Sequence, residues 1–230
     1  MTNRANQGKD DRTACEGDSA LIGWRSRGYH PHFDRPGLVQ SLTFRLRDSV
    51  PESLVQRWRG QLGLTESHPI DDDRTVRLRR RLEHYADAGH GACLLRDRRI
   101  ASVAETALLH FDGERYRLLA WCVMPNHVHV LVETIAGRAL AQVVQSWKSF
   151  AAKEANKLLG KVGAFWMPDY HDRFIRDARH FDAVRRYVEQ NPVKAGLCDR
   201  AEEWRFGSAW AAKREPASCL RTEGHNGDPR

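Results

Sequence analysis

Cysteine is sparse in this 230-residue chain, and what there is does not pair by motif. Cys15, Cys93, Cys122, Cys198 and Cys219 include no C-x-x-C, so neither a zinc ribbon nor a disulfide framework is expected. Long apolar runs are also missing. The longest, about residues 118–132, is broken by Pro125, Asn126, His127 and His129. A bilayer span needs about 20 apolar residues, so no membrane helix is expected. Residues 1–19 are polar and lack the apolar core of a secretory signal, which makes the cytoplasm the expected location. No glycine-rich Walker-type loop is present, so chemistry driven by ATP is not expected. No internal repeat is visible.

What the chain does have is positive charge. It carries 37 Lys and Arg, mostly Arg, against 30 Asp and Glu, for a net +7 and a pI near 9.4. Forked guanidiniums suit phosphate backbones. The alternative is an ordinary solvated surface. Hydrophobic residues make up 41%, enough for one core without a disulfide or structural metal. Residues 1–28 and 212–230 read as flexible tails around one domain at 29–211.

Within that domain Leu38, Leu42, Phe44 and Leu46 alternate with Ser41, Thr43 and Arg45, the period of a strand. Helices are expected near residues 53–62, 73–88 and 99–110. The second carries Leu78, Leu82 and Tyr85 on one stripe. Residues 116–123 and 127–133 read as a hairpin turning at Met124-Pro125-Asn126. A long amphipathic helix follows at 140–159, stopped by Gly160. Residues 165–175 read as strand plus loop, and 181–190 as a helix ended by Asn191-Pro192. This order predicts an α+β fold: a ferredoxin-like antiparallel sheet with helices packed on one face.

His127-Val128-His129 lies in an apolar strand. Residues i and i+2 of a strand share a face, so the two imidazoles stand side by side, half of a divalent-metal site. The other reading is a pair of polar residues on a solvated strand surface. His30-Pro31-His32 has the same spacing but no apolar alternation, and reads as loop. Tyr187 and Asn191 are four apart and share a helix face. Tyr187 can be a phosphodiester nucleophile if positioned and deprotonated, or simply a packing residue. The stretch at 165–176 mixes aromatics with Arg173 and Arg176. Aromatics can stack on unpaired bases and the arginines can pair with phosphates, or the aromatics can be core. Arg74, Arg77, Arg79, Arg80 and Arg81 read as a solvated helix face that can also touch DNA.

Met-Pro-Asn-His-Val-His at 124–129, Tyr-His-Asp-Arg-Phe-Ile-Arg at 170–176 and Tyr-Val-Glu-Gln-Asn-Pro-Val-Lys-Ala-Gly-Leu at 187–197 together resemble the REP-associated tyrosine transposases. These are relatives of the single-strand insertion-sequence transposases, with an HUH motif and a single tyrosine. Tyr29-His-Pro-His-Phe-Asp, Thr43-Phe44-Arg45-Leu46, Leu119-Ala120-Trp121 and Ser146-Trp147-Lys148-Ser149 strengthen the resemblance, which covers about residues 28–210. It implies a ferredoxin-like fold with the HUH motif on a central strand. It implies Tyr187 as nucleophile, His127 and His129 as metal ligands, and Asn191 where relatives carry a polar side chain that completes the metal site. Arg173, Arg176, Lys148 and Asn126 are the expected DNA contacts. The implied cofactor is Mg²⁺ or Mn²⁺. The implied partner is single-stranded DNA with imperfect-palindrome hairpins, nicked and rejoined through a 5′-phosphotyrosine by a monomer or homodimer at the nucleoid. The runner-up is a catalytically inactive or domesticated hairpin-binding protein, and a third reading is a hydrolase that uses water in place of Tyr187.

Overall fold

The structure, a computed structural model, describes residues 23–26, 31–34, 37–65, 72–135 and 137–214. A short antiparallel hairpin, β1 (Gly23–Ser26) and β2 (Pro31–Asp34), precedes β3 (Val39–Arg45). Three helices follow: α1 (Glu52–Gln61), α2 (Asp73–Asp87) and α3 (Arg98–Leu109). Then come β4 (Tyr116–Val123), β5 (His127–Thr134), α4 (Leu140–Leu159), β6 (His171–Phe174), α5 (Ala178–Lys194) and α6 (Ser208–Arg214). The main sheet runs β4-β5-β3-β6, with every neighbour antiparallel. The HUH strand is therefore central, in the strand–helix–strand–strand–helix–strand order of a ferredoxin-like core.

The side-chain alternation of β5 decides what lies on each side of the sheet. Val128, Val130 and Val132, fully buried, join Leu42 and Phe44 under α3 and α4. Along α4, Val143, Val144, Trp147, Ala151 and Ala155 supply the facing stripe. Each large apolar side chain buried here contributes about 1.5–3 kcal/mol. Trp147 is pinned through its Nε1–H to the Tyr116 hydroxyl at 2.9 Å, which in turn donates to the Leu108 carbonyl at 2.7 Å. This is the expected helix layer.

The opposite face is covered too. There Leu131 packs with Ala120, Cys122 and Met124 beneath Val188 of α5. The expectation of helices on one face holds for α3 and α4, and α5 adds a layer on the other. The reason is visible in β5, which is buried at every position but Glu133. A strand apolar on both sides must be covered on both. In β4 a register shift between Leu118 and Ala120 swaps the faces: Tyr116 and Leu118 pack with the α3–α4 core, whereas Ala120 and Cys122 pack under α5. One extra residue in a strand exchanges its two faces from that point on.

Two local expectations change. Pro192 does not end α5, which continues to Lys194 with Asn191 inside it and buried. A proline so near the C-terminus forfeits only the bond to the Val188 carbonyl. The stop is Gly196 at φ +66°: Gly196 N–H donates to the Val193 carbonyl and Leu197 N–H to the Pro192 carbonyl, a Schellman closure that favours glycine. His32 lies in strand β2 rather than in a loop, and His30 lies outside the described residues. The tails expected at 1–28 and 212–230 also lie outside them, except for β1 and the last residues of α6. Among the described residues no helix is long and apolar enough to cross a membrane.

Candidate active site

The site forms on the α5 side of the sheet, where β3 and β5 pair. Arg45 stands opposite His127 and Thr43 opposite His129. Directly paired residues share a face, so these four side chains form one patch. Both histidines are buried, at 1% and 2% exposure.

Asn126 fixes His127. Its Nδ2 donates to the Ala86 carbonyl at 3.0 Å and to the His90 carbonyl at 2.8 Å. Those two acceptors define which amide atom is nitrogen. The Oδ1 that remains can only accept, and it lies 2.7 Å from His127 Nδ1. His127 therefore carries its proton on Nδ1 and presents a bare Nε2. His129 Nδ1 is 2.9 Å from Thr43 Oγ1. The two Nε2 atoms face each other at 2.9 Å. Burial lowers the pKa of both rings. For His129, well below the usual imidazole range, His127, Arg45 and Lys194 add to the effect; for His127, Asp87 opposes it. Two neutral imidazoles are the form that binds metal.

The remaining donors come from two helices. Asp87, the last residue of α2, places Oδ1 3.4 Å from His127 Nε2. That oxygen has no hydrogen-bond partner, as expected when Nε2 has no proton to give. Asp87, His127 and His129 form a group able to hold a metal ion. Asn191 of α5 brings its amide to His129, Nδ2 to Nε2 at 3.1 Å, while its buried Oδ1 lacks a partner. Two imidazole nitrogens and the unpartnered Asp87 oxygen on one spot, with the Asn191 amide beside them, suit a hard divalent cation that accepts mixed N and O ligands.

Tyr187 lies one helical turn before Asn191. Its ring meets the His129 ring edge-on at 5.5 Å between centroids, and Lys194 Nζ lies 4.6 Å over it. The Tyr187 phenol is pushed far above its ordinary range by burial, and further by the charges of Glu83 and Asp87; a hydrogen bond from Asn191 and the Arg45 charge pull the other way. Glu83, one turn before Asp87 on α2, is itself raised by burial.

Sequence reasoning identified His127, His129, Asn191 and Tyr187, and the fold brings them together. Asn126 and Lys148, expected to touch DNA, do not reach a surface. Asn126 is fully buried and spent on His127 and the end of α2. Lys148, 9% exposed, donates from Nζ to the Met167 and Pro168 carbonyls at 2.7 Å each. Phe165 and Trp166 belong to the core and offer no face to a base. Arg173 is half-buried on β6, on the face it shares with Ser41, and Arg176 is exposed just beyond. Asp87, Glu83 and Arg45 were missed. The four-residue spacing of Glu83 and Asp87 was legible, but nothing in the sequence placed that face of α2 over β5.

The sequence profile of the family described as transposase IS200 like matches residues 97–191, from the start of α3 to Asn191. The match contains both histidines and Tyr187, and leaves Arg45, Glu83 and Asp87 outside. The motif resemblance and this match agree. No curated protein matches. Among solved structures, a REP-associated tyrosine transposase bound to a REP hairpin is similar over 85% of this chain and 89% of that one, at 16% identity and a TM-score of 0.48. A candidate transposase of Deinococcus radiodurans R1 is similar over 73% of this chain and 96% of that one, at 16% identity and a TM-score of 0.29.

Proposed function

We propose, from the premise that residues 97–191 are an IS200-like transposase segment, that this chain nicks and rejoins single-stranded DNA beside hairpin-forming repeats, with Tyr187 as nucleophile. The observation that carries the proposal is the meeting of Tyr187 and Asn191 on α5 with His127 and His129 on β5 in one buried patch. A water-using hydrolase needs no tyrosine there.

His127, His129, Asp87 and Asn191 would hold the divalent ion, Mg²⁺ or Mn²⁺. Bound there, it would polarise the phosphate and offset its charge. The chain's own groups do the rest. At rest the phenol keeps its proton, because burial and two nearby carboxylates disfavour a phenolate. In the reaction Tyr187 Oη bonds to phosphorus as the P–O3′ bond breaks. The phenol proton leaves and the 3′ oxygen gains one, so protons balance overall. The products are a free 3′-OH and a 5′-phosphotyrosine. That ester conserves the phosphodiester energy, so attack by a second 3′-OH reverses the chemistry and joins strands without ATP.

Arg173 and Arg176 would meet the DNA backbone near the site, and the basic surface would take the hairpin stem. It would work as a monomer or homodimer, in the cytoplasm at the nucleoid. The test is an adduct assay. Purified protein is incubated with labelled hairpin DNA from beside its own gene, with Mg²⁺ or Mn²⁺, and run under denaturing conditions. A metal-dependent shifted band lost in Tyr187→Phe and His127→Ala is the expected result. Cleavage without an adduct would establish the hydrolase, and binding without either would establish the hairpin binder.

A further inference from the structure

We propose that Arg45 is the anion receptor of this site, taking the non-bridging oxygens of the phosphodiester that Tyr187 attacks. The inference rests on the reading of the site as a DNA-nicking centre and adds a substrate-contacting residue to it, one that lies outside the family match.

Arg45 ends β3 directly across from His127 and shares its face of the sheet with Thr43. The residue is 8% exposed, and its Nε has no hydrogen-bond partner. Glu83 and Asp87 act on it through space, yet among the described residues no carboxylate reaches it at ion-pair distance. A guanidinium withdrawn from water without a partner costs several kcal/mol. Proteins rarely leave such a group uncompensated, and among the described residues none accepts a hydrogen bond from Arg45 Nε. Buried Glu105 shows the contrast: Arg205 and Trp121 both donate to its carboxylate.

The surroundings show what would compensate it. Arg45 and Thr43 line a cleft whose walls also include Val55, Leu78, Leu82, Tyr170 and the carboxylates Glu52 and Asp169, and none of His127, His129, Asn191 and Tyr187, so an external group approaches Arg45 from the side of α1 and α2. The same guanidinium lies beside the metal-ligand patch, and its charge favours the Tyr187 phenolate. An anion between Arg45 and that patch would be placed for attack by Tyr187. A planar fork can hold two oxygens of one phosphate, which an ammonium cannot do. The charge that builds on those oxygens during displacement is then met by a donor already in place.

Arg45→Met and Arg45→Lys test the assignment in the full chain with three measurements. The first is thermal stability. Met keeps the length and removes the uncompensated charge, so its Tm should equal or exceed that of the wild type. The second is the shift in Tm produced by magnesium sulfate against magnesium chloride at matched ionic strength. Sulfate stabilises proteins in general, so the readout is the part lost in Arg45→Met, expected to be most of the difference. The third is the rate of adduct formation on hairpin DNA. It should fall about 100-fold or more in Met and about 10-fold in Lys, chiefly in kcat. A Tm drop of several degrees in both variants, an equal sulfate response in wild type and Met, or adduct rates within about threefold of wild type would overturn the assignment. The sulfate measurement needs no nuclease activity. An Arg45-dependent sulfate shift in a protein that forms no adduct would leave the receptor standing and remove the nicking reading.

Discussion

Replacing Asn126 with alanine separates a residue that positions the proposed metal ligand His127 from one that touches DNA. The side chain makes three hydrogen bonds: two from Nδ2 to the Ala86 and His90 carbonyls, and one from His127 Nδ1 to Oδ1. Ala86 O also accepts from Gly89 N–H at 2.9 Å, so it keeps a partner in Asn126→Ala. His90 O retains only the long contact from the Cys93 thiol at 3.7 Å. The lasting defects are thus one carbonyl and one imidazole N–H, each worth about 1–3 kcal/mol when buried and unpaired. A loss of about 3 kcal/mol in unfolding free energy is expected.

His127 has one escape from its share of that penalty. Its proton can move to Nε2, where Asp87 Oδ1 at 3.4 Å can accept it. That tautomer relieves the defect and covers the lone pair the metal needs. Whichever way His127 relaxes, Mn²⁺ binding should weaken by about 10–100-fold, the usual effect of losing a group that orients a ligand. Denaturant unfolding gives the stability, calorimetric titration with Mn²⁺ the affinity, and ¹⁵N NMR of the His127 ring the tautomer. The reasoning fails if wild-type His127 carries its proton on Nε2. It fails equally if Asn126→Ala binds Mn²⁺ as the wild type does. A DNA-contact role predicts unchanged metal affinity and weaker DNA binding, the opposite pattern.

Asp87→Asn should weaken Mn²⁺ binding about 10-fold or more with little change in Tm, because Asp87 is 27% exposed and its Oδ1 bonds to nothing; unaltered affinity in a titration would remove Asp87 from the ligand set. Lys148→Met should leave DNA affinity unchanged in a binding assay, since Nζ is held by two carbonyls. Burial lowers the folded-state pKa of Lys148 to about 8 from 10.5, so between those values the unfolded chain holds the extra proton and the Lys148 contribution to stability rises with pH, by at most about 1.4 kcal/mol per unit. Denaturation of wild type and Lys148→Met across that range should show the stability of the wild type relative to the variant rising with pH. Gly91→Ala puts a Cβ 2.7 Å from the Asp48 carbonyl at a φ of +84°, in the loop that carries His90 O. It should lower stability by about 1–3 kcal/mol and weaken Mn²⁺ binding as well, and a Tm equal to that of the wild type would refute the close approach.

The site was legible in the sequence wherever it depends on local spacing. The two-residue period of His127 and His129 and the four-residue period of Tyr187 and Asn191 each fix a shared face within one element. What spacing cannot give is the partner of that face. Ser41, Thr43 and Arg45 read as the polar side of β3, and nothing local distinguishes a polar side facing water from one roofed by helices. The roof is made by α5, which passes through Pro192 to the glycine stop at Gly196, and by α2, whose far end brings Asp87 to His127 from 40 residues earlier in the chain. Both depend on tertiary packing overriding local preference, and so does the strand shift in β4 that turns Ala120 and Cys122 toward α5. Burial of that polar face accounts for the electrostatics of the site. It keeps both imidazoles neutral, holds the tyrosine protonated and leaves Arg45 Nε without a hydrogen-bond partner. The same roof that stabilises the fold through Val188 and Leu131 thereby produces the set of groups, the histidines and Arg45, to which the proposed metal ion and phosphodiester are complementary.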